Sequence, residues 1–294
     1  MTARIIDGKA IAAQVRAEVA DRVKALLARG VRPGLAAVLV GDDPASHVYV
    51  GSKQRACAEV GMYSERVELP ADVSEATVIE EIERLNADPA ISGLIVQLPV
   101  PKHLSDLALL QAVAPEKDVD CLGPTNVGLM VRGRGYLLPA TPYGIVELLV
   151  REGIQVRGQH VVVVGRSGLV GMPLAIMLAQ KSDRANATVT ICHTLTQDVG
   201  SYTRQADVLV VAVGRPRTVT EDMVKPGAVV VDVGMNRTED GLVGDVAFDE
   251  VKEVAGAITP VPGGVGPMTV AMLMVNTVAA AEAQATRRPD GGIA

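Results

Sequence analysis

An apolar run that leads into a glycine-containing turn and a helix start constrains this chain more than any other feature. Residues 161–173 read VVVVGRSGLVGMP. The valines predict a buried strand, Gly165 permits a sharp turn, and Gly171 permits close approach of the backbone to a bound group. Pro173 suits a first helical turn, where a missing N–H costs nothing. Free N–H groups at such a helix start attract anions, so the segment predicts a phosphate-binding turn, with an ordinary strand-to-helix turn as the alternative.

Strand-like and helical patterns alternate along nearly the whole chain, which favours βα units and a mainly parallel sheet. A first series has predicted helices at residues 8–28, 48–60 and 75–86 and strands at 35–40, 63–69 and 94–98. A second series has predicted helices at 144–152 and 173–180 and strands at 160–164, 188–192, 208–213 and 228–233. The second series is typical of a dinucleotide-binding fold.

The two series predict a two-domain α/β protein. We expect an N-terminal α/β catalytic domain over residues 1–140 and a Rossmann-like dinucleotide-binding domain over 141–267. A helix is predicted at about 268–285, and its pattern is compatible with packing on either domain. The polar, glycine-containing end of the chain, residues 286–294, is expected to fray.

Composition excludes several classes of function. The formal net charge is −6, and the chain has no Trp, one Phe and five Tyr, so its negative charge and few aromatic rings make nucleic-acid binding an unfavourable expectation. The first residues carry charges, and no uninterrupted apolar run is long enough to span a bilayer, so we expect neither secretion nor membrane insertion. Three cysteines without C-x-x-C spacing indicate a cytoplasmic protein. Four scattered histidines lack metal-ligand spacing, so no metal site is expected.

The predicted second strand of the dinucleotide fold carries information about the cofactor. In NAD-binding folds an acidic residue usually ends this strand, but here the strand continues as His193-Thr194. Arg166, next to Gly165 in the predicted phosphate-binding turn, and Thr194 could instead hold a 2′-phosphate, which makes NADP a better expectation than NAD. The alternative for Arg166 is a solvated surface charge.

Tyr49 and Lys53 stand four residues apart and share one face if their segment is helical. A lysine that burial made easier to deprotonate could exchange protons with a reacting centre, whereas the simpler interpretation is a surface lysine packed along a helix. Gln97 ends an apolar run against Pro99. A buried glutamine needs partners, which a ligand, Lys53 or the neighbouring backbone could supply.

Two further segments are predicted loops whose residues could contact a ligand. Residues 115–120, PEKDVD, place two aspartate carboxylates, Asp118 and Asp120, in a turn, which is normally a solvated loop. Residues 259–269, TPVPGGVGPMT, define one backbone path by their prolines and glycines. Backbone of this kind commonly lines a ligand, and a purely structural loop is the alternative.

Five segments together resemble the bifunctional methylenetetrahydrofolate dehydrogenase/cyclohydrolase family in order and spacing over nearly the full chain. They are YVGSK at 49–53, IVQLPVP at 95–101, PEKDVD at 115–120, GRSGLVGMP at 165–173 and PVPGGVGPMT at 260–269. The resemblance implies a homodimer, an N-terminal folate-binding catalytic domain, an NADP-binding Rossmann-like domain and a folate cleft between them. It also implies two reactions without a metal: oxidation of 5,10-methylenetetrahydrofolate by NADP, then hydrolysis of the methenyl product to 10-formyltetrahydrofolate, in one-carbon metabolism and purine biosynthesis.

The resemblance also implies roles for single residues. Lys53 matches the catalytic lysine that manages protons during cyclohydrolysis, Gln97 the glutamine that hydrogen-bonds it, Tyr49 the ring that stacks on folate, and Asp120 the carboxylate that binds the pterin. Further substrate contacts are expected at Leu98, Pro262, Gly263 and Gly264, with Gly266 in the same loop. The expected cofactor-binding residues are Gly165, Arg166, Ser167, Gly171, Thr194, Val213 and Gly214.

The chain departs from the family pattern after Asp120, where Gly-Phe-His is replaced by Cys121-Leu122-Gly123. If a glycine torsion is needed at position 121, Asp120 could be displaced. Cys121 is either a reactive thiol or a packing substitution. Leu195 stands where the family often has a basic residue, so the NADP preference could be weaker. Two alternatives follow: a dehydrogenase-only or divergent member of the family, and a non-catalytic dinucleotide-binding regulator.

Overall fold

The computed structural model describes residues 2–239 and 241–286. The strands are β1 (Arg4–Ile5), β2 (Gly34–Val40), β3 (Tyr63–Leu69), β4 (Gly93–Val96), β5 (His160–Val164), β6 (Thr188–Cys192), β7 (Val208–Val211), β8 (Val229–Asp232), β9 (Asn236–Thr238), β10 (Gly241–Val243) and β11 (Ala257–Ile258). The helices are α1 (Gly8–Leu27), α2 (Pro44–Val60), α3 (Glu75–Ala87), α4 (Asp106–Ala112), α5 (Pro124–Val131), α6 (Ala140–Arg151), α7 (Gly171–Ala179), α8 (Val199–Thr203), α9 (Phe248–Val251) and α10 (Val265–Thr286), with a 3-10 turn at Glu221–Met223.

The chain divides into two compact units, and each is discontinuous in sequence. One unit, called here the dinucleotide unit, consists of the residues up to Ala13 and Thr141–Thr269. The other, called the N-terminal unit, consists of Gln14–Ala140 and the chain from Val270 on. The division therefore falls inside α1 and α10.

The dinucleotide unit contains a six-stranded, all-parallel sheet with the order β1-β11-β8-β7-β5-β6. Its inner strands are almost purely valine, and β7 is buried over its whole length, as expected for strands covered on both faces. The chain passes from β5 outward to β6 and then returns to β7 on the other side of β5. This reversal is the topological switch point, and ligands of such sheets bind outside the carboxyl ends of the strands there.

The N-terminal unit is built on a three-stranded parallel sheet with β2 between β3 and β4. All seven residues of β2 are buried, and α3 adds a stripe of buried apolar residues at helical spacing, Val78, Ile82 and Leu85. The part of the last helix from Val270 on belongs to this core. The Nδ2 of Asn276, which is 1% exposed, donates to the carbonyls of Val119 and Leu138, both at 2.7 Å.

This architecture confirms the predicted α/β class, with two units of which one is Rossmann-like. The first residues were expected in the N-terminal domain, but β1 pairs in parallel with β11 and so extends the dinucleotide sheet. A strand of two residues carries no periodic signal, which is why the sequence did not indicate it. The expected fraying tail, residues 286–294, lies outside the described residues except for Thr286, which ends α10.

Several boundaries differ from expectation. The strand predicted at 94–98 ends at Val96, and the strands predicted to end at residues 213 and 233 end at Val211 and Asp232. In each case the final residues form the loop at the carboxyl edge of the sheet. The helix predicted at 144–152 begins at Ala140, because a proline in the first turn is compatible with a helix and does not break it.

Among the described residues one helix, Val265–Thr286, is long and apolar enough to cross a membrane, with a mean hydropathy of 1.3. Buried positions make up 61% of that window. A core helix of a soluble protein has the same properties, so this feature is weak evidence for a membrane span.

Candidate functional site

The turn between β5 and α7, residues 165–171, accepts only glycine at its two ends. Gly165 has φ +122°, and a Cβ there would overlap the carbonyl oxygen of Ala212. A Cβ on Gly171 would overlap the carbonyl oxygen of Gly165. We call residues 165–171 the phosphate turn. Its backbone is packed against itself and against the end of β7, which brings the chain close to the switch point of the sheet.

The start of α7 is open to an anion. No side chain caps the helix at Val170, and the helix begins with Gly171 and has Pro173 in its first turn. The Ser167 hydroxyl accepts from the Val170 N–H at 3.2 Å, which closes the turn, while Arg166 and Ser167 are exposed. An uncapped helix start with an arginine beside it fits the pyrophosphate of a dinucleotide.

The carboxyl end of β6 carries no carboxylate. The strand ends at buried Cys192, and then His193 N–H donates to Thr196 Oγ1 at 2.9 Å in a tight turn. Thr194 is exposed, and Leu195 is 77% exposed. The absence of an acidic residue at this strand end fits a cofactor with a 2′-phosphate, and Leu195 contributes no charge to it.

The loop after β7, residues 213–215, is organised by a buried carboxylate that sequence reasoning missed. Asp245 is 0% exposed, and its two oxygens accept from the N–H groups of Val213, Gly214 and Arg215 at 2.6, 2.9 and 3.0 Å. Val213 is half-buried and Gly214 is exposed. In the sequence, the signal for Asp245 was a single aspartate between apolar residues, which does not reveal its partners.

The glycine loop, residues 260–266, is held by close backbone contacts. Gly263 has φ +110°, and a Cβ on Gly264 would lie 2.6 Å from the Pro260 carbonyl oxygen. A Cβ on Gly8, at the start of α1, would overlap the Gly264 carbonyl oxygen. Pro262 is exposed in this loop. The backbone path therefore depends on glycine at these positions.

Met235 is a second residue that sequence reasoning missed. It follows β8 at the carboxyl edge of the sheet and is 41% exposed. A Cβ on Gly266 would lie 3.4 Å from its sulfur, so the side chain lies against the glycine loop. Its position after an apolar strand was the available signal, but an exposed methionine has no chemical signature of its own.

In the N-terminal unit the structure brings Lys53 and Gln97 together. The Lys53 amine donates to Gln97 Oε1 at 3.1 Å, and Gln97 Nε2 donates to the Leu98 carbonyl at 2.7 Å. The second bond orients the amide so that its oxygen faces the lysine. Both side chains are half-buried, and Tyr49, one helical turn before Lys53, is 39% exposed. A half-buried amine that is hydrogen-bonded to an amide oxygen thus lies one helical turn from an accessible aromatic ring.

Both ends of α2 are fixed, which determines where Tyr49 and Lys53 lie. Asp43 caps the helix by accepting from the Ser46 N–H at 2.8 Å and from its hydroxyl at 2.7 Å, and these bonds lower the pKa of Asp43. Gly61 ends the helix at φ +83° in the left-handed conformation. Tyr49 and Lys53, four residues apart, therefore share one face of a well-defined helix.

The loop that carries Asp120 is ordered around Asp118. This carboxylate, 3% exposed, accepts from the N–H groups of Leu122 and Gly123 at 3.1 and 2.9 Å and from Asn126 Nδ2 at 3.0 Å. Burial raises the pKa of Asp118. Asp120 itself is half-buried. The sequence indicated that Asp118 and Asp120 lie in a solvated turn, whereas Asp118 is buried and supports the loop.

Cys121 adopts the torsion expected of a glycine, with φ +54°. Its side chain is 0% exposed, and burial, followed by the charges of Asp118 and Asp120, raises the pKa of its thiol to about 12. Of the two interpretations offered above, a packing substitution fits, because a reactive cysteine requires an accessible thiolate. The left-handed turn is thus present without the glycine.

In residues 2–239 and 241–286, no group of three or more His, Cys, Asp or Glu side chains could hold a metal ion.

Known proteins resemble both units. Residues 6–120 match the model of the tetrahydrofolate dehydrogenase/cyclohydrolase catalytic domain, and residues 139–285 match that of the NAD(P)-binding domain of the same family. The bifunctional protein FolD of Bordetella avium is 57% identical over 283 residues, which cover 96% of this chain and 98% of that protein.

Solved structures agree with these matches. The bifunctional methylenetetrahydrofolate dehydrogenase/cyclohydrolase of Campylobacter jejuni has a TM-score of 0.92 and 44% identity, covering 95% of this chain and 99% of that one. The Trypanosoma brucei enzyme, solved with NADP and an inhibitor, has a TM-score of 0.91 and 40% identity, covering 97% and 99%. With two family models matched and full-length relatives above half identity, the chain belongs to the tetrahydrofolate dehydrogenase/cyclohydrolase family.

Proposed function

We propose that this protein oxidises 5,10-methylenetetrahydrofolate to the 5,10-methenyl compound with NADP and then hydrolyses that product to 10-formyltetrahydrofolate. Relatives named as bifunctional FolD proteins at more than half identity support both activities. The observation that supports the hydrolytic step is the hydrogen bond of 3.1 Å from the Lys53 amine to Gln97 Oε1, which orients an amine that could move a proton.

In the first reaction the bound dinucleotide accepts a hydride from the substrate's methylene carbon. The protein's task is to align the two partners, since loss of the hydride leaves a cation stabilised by the adjacent nitrogens. We assign binding of the dinucleotide to the phosphate turn with Arg166 and Ser167, and to Thr194, Val213 and Gly214. Their positions at the carboxyl edge of the sheet support this assignment.

In the second reaction a water molecule adds to the methenyl carbon, and the bond from that carbon to one nitrogen then breaks. Two kinds of proton transfer are needed: the water loses both of its protons, one as it adds and one from the resulting hydroxyl as the bond breaks, and the departing nitrogen gains one. We assign both transfers to Lys53 Nζ, oriented by Gln97 Oε1, which in turn is fixed through the Leu98 carbonyl. One proton is released overall, because a cation and water give a neutral formamide.

We assign recognition of folate to Tyr49, by stacking, and to Asp120, by accepting from the pterin's donor edge. Tyr49 is exposed enough to take a ring, and Asp118 holds the loop of Asp120 in one conformation. Leu98, Pro262, Gly263 and Gly264 remain proposed contacts of the substrate. Asp120→Ala should weaken folate binding more than NADP binding in calorimetry, and an unaltered folate affinity would reject this role.

The decisive experiment follows the two products separately. Purified protein is mixed with methylenetetrahydrofolate and NADP, and NADPH formation and methenyl decay are recorded by absorbance. Lys53→Ala should abolish methenyl hydrolysis, whereas Lys24→Ala, which removes an exposed lysine paired with Asp21, should not change it. Unchanged hydrolysis in Lys53→Ala would contradict the role of Lys53. NADPH formation without accelerated decay in the wild type would favour a dehydrogenase alone, and no turnover would favour a regulator.

We further propose that the protein is a homodimer. Within the described sheet, β3 pairs only with β2, so the outer edge of a seven-residue strand presents unpaired backbone groups. Arg66, on this strand, has a buried Nε without a hydrogen-bond partner. Light scattering should give twice the chain mass of 30.7 kDa, and a mass of one chain at assay concentration would reject the dimer.

We also propose that the protein works in the cytoplasm, where its product would supply formyl groups for purine biosynthesis. Cys57, Cys121 and Cys192 are free and buried, which suits a reducing compartment. Cell fractionation followed by the dehydrogenase assay tests this location, and activity confined to a membrane or extracellular fraction would reject it.

A further inference from the structure

Asp245 is a buried carboxylate whose hydrogen-bonding capacity is used entirely by this chain. Oδ2 accepts from the N–H groups of Val213 and Gly214, and Oδ1 accepts from the Arg215 N–H and from Asn236 Nδ2 at 2.8 Å. Three successive backbone donors therefore converge on one side chain. This arrangement fixes the path of the 213–215 loop, because each donor would otherwise need another partner.

A second buried carboxylate holds Asp245 in place. Asp232, at the end of β8 and 2% exposed, accepts from the backbone N–H groups of Asp245, Val246 and Gly234, each at 2.9 Å. The fit is close: a Cβ on Gly244 would overlap the carboxylate of Asp232. The position of Asp245 is thus determined by the end of a central strand and not by a mobile side chain.

The 213–215 loop lies beside the phosphate turn. It follows β7, which pairs with β5 from Val161↔Val208 to Val164↔Val211. Immediately after β7, the Ala212 N–H donates to the Val164 carbonyl at 2.8 Å, and the Ala212 carbonyl packs on Gly165. The loop is therefore one of the two strand-to-loop junctions that flank the switch point, where a dinucleotide binds in this class of sheet.

We propose that Asp245 is a positioning residue for dinucleotide binding, which acts by holding the 213–215 loop beside the phosphate turn. The inference rests on the proposed function, because it takes the dinucleotide unit to bind NADP. Asp245 does not touch the cofactor, since its oxygens are occupied by four donors of the chain. Its substitution should change the affinity for NADP more than it changes the chemistry.

The test compares Asp245→Asn with the wild type. The amide keeps one acceptor oxygen, so either the N–H groups of Val213 and Gly214 or the Arg215 N–H and Asn236 Nδ2 lose their partner. We expect the Kd for NADPH, measured by its fluorescence, and the KM for NADP to rise about tenfold or more, while kcat at saturating NADP changes less than threefold. Hydrolysis of methenyltetrahydrofolate in the absence of NADP should change less than twofold.

Asp207→Asn is the matched control in the same sheet. Asp207 also accepts from a backbone N–H, that of His160 at 2.9 Å, and from the Lys225 amine at 2.6 Å, but it precedes β7 at the opposite, amino edge. Its loss should affect stability and leave the Kd for NADPH within twofold of the wild type. An equal rise of this Kd in both variants would show a general loss of structure and overturn the proposal.

Asn236→Ala covers the case in which Asp245→Asn does not fold. It removes one donor to Asp245 and should raise the Kd for NADPH about threefold. A folded Asp245→Asn with an unchanged Kd, or, if it does not fold, an unchanged Kd in Asn236→Ala, would overturn the proposal. Failure of the proposed function is a different result: the wild type itself would then neither bind NADPH nor reduce NADP.

Discussion

Replacing Cys121 by alanine and by glycine separates the strain in its backbone from the packing of its thiol. Both variants lose the buried sulfur, and they differ only in one methyl group on a Cα with φ +54°. An L-residue in the left-handed region is disfavoured by roughly 1–2 kcal/mol, and glycine avoids this cost. Part of the resulting stabilisation is lost, because glycine is more flexible in the unfolded chain. We therefore expect Cys121→Gly to be more stable than Cys121→Ala by about 1 kcal/mol.

Cys57 provides a control with the opposite sign. It is also a fully buried cysteine, but it lies within α2, where its backbone is helical. Glycine inside a helix is less stable than alanine by roughly 0.5–1 kcal/mol. Cys57→Gly should therefore be less stable than Cys57→Ala, so the order of the two substitutions inverts between the two sites.

The assay is thermal unfolding of the four full-length variants under reducing conditions. A difference of 1 kcal/mol corresponds to a shift of roughly 2–4 °C in Tm for domains of 150–250 residues. Comparison within each pair cancels the loss of the sulfur. If Cys121→Ala unfolds at the same temperature as Cys121→Gly, or higher, then position 121 is not strained and the reasoning from its torsion is refuted.

Three further predictions concern the dinucleotide unit. Gly171→Ala should raise the KM for NADP at least tenfold, because its Cβ would overlap the Gly165 carbonyl. Gly168→Ala is the control, because its Cβ would meet nothing within 4 Å, and its KM should not change. Equal KM values in the two variants would contradict the need for glycine at position 171. Burial raises the pKa of Asp232 to about 6, so the folded state binds this proton more tightly than the unfolded chain. The free energy of unfolding should therefore fall by roughly 3 kcal/mol from this group as the pH rises from 4 to 6. If calorimetry gives the wild type and Asp232→Asn the same dependence of this free energy on pH, the raised pKa of Asp232 is refuted. Leu195→Lys should raise the ratio of kcat/KM for NADP over NAD severalfold at low salt, and a ratio that does not respond would place the 2′-phosphate elsewhere.

Much of the fold follows from local patterns. The valine run of β5, the glycines of the phosphate turn and the apolar stripes of the helices are contiguous signals, and each predicted element that depends on them is present. β1 and the antiparallel pair β9–β10 were not predicted, because strands of two or three residues are defined by their partners and carry too few positions for a period.

The residues of the candidate site also divide into those that local sequence patterns indicated and those that only the folded structure reveals. The helix spacing drew attention to Lys53 and the polar residue in an apolar run to Gln97, but only the family resemblance gave them roles, and the structure places the two in contact. Asp232 and Asp245 were not recognised, because most of the donors that surround them lie between 9 and 32 residues away along the chain. A buried carboxylate is identified by its partners, and these are known only once the sheet is assembled.

The pairing of β1 with β11 has a consequence for synthesis of the chain on the ribosome. Arg4 emerges among the first residues, yet its partner in the sheet is Ala257. At 5–20 residues per second, the first strand waits on the order of 10–50 s for the strand it pairs with. The N-terminal unit is delayed in the same way, because Asn276 donates to the carbonyls of Val119 and Leu138, which are translated much earlier. The dinucleotide unit therefore cannot complete its sheet before Ala257 has been translated, and the N-terminal unit cannot complete its core before Asn276 has been translated.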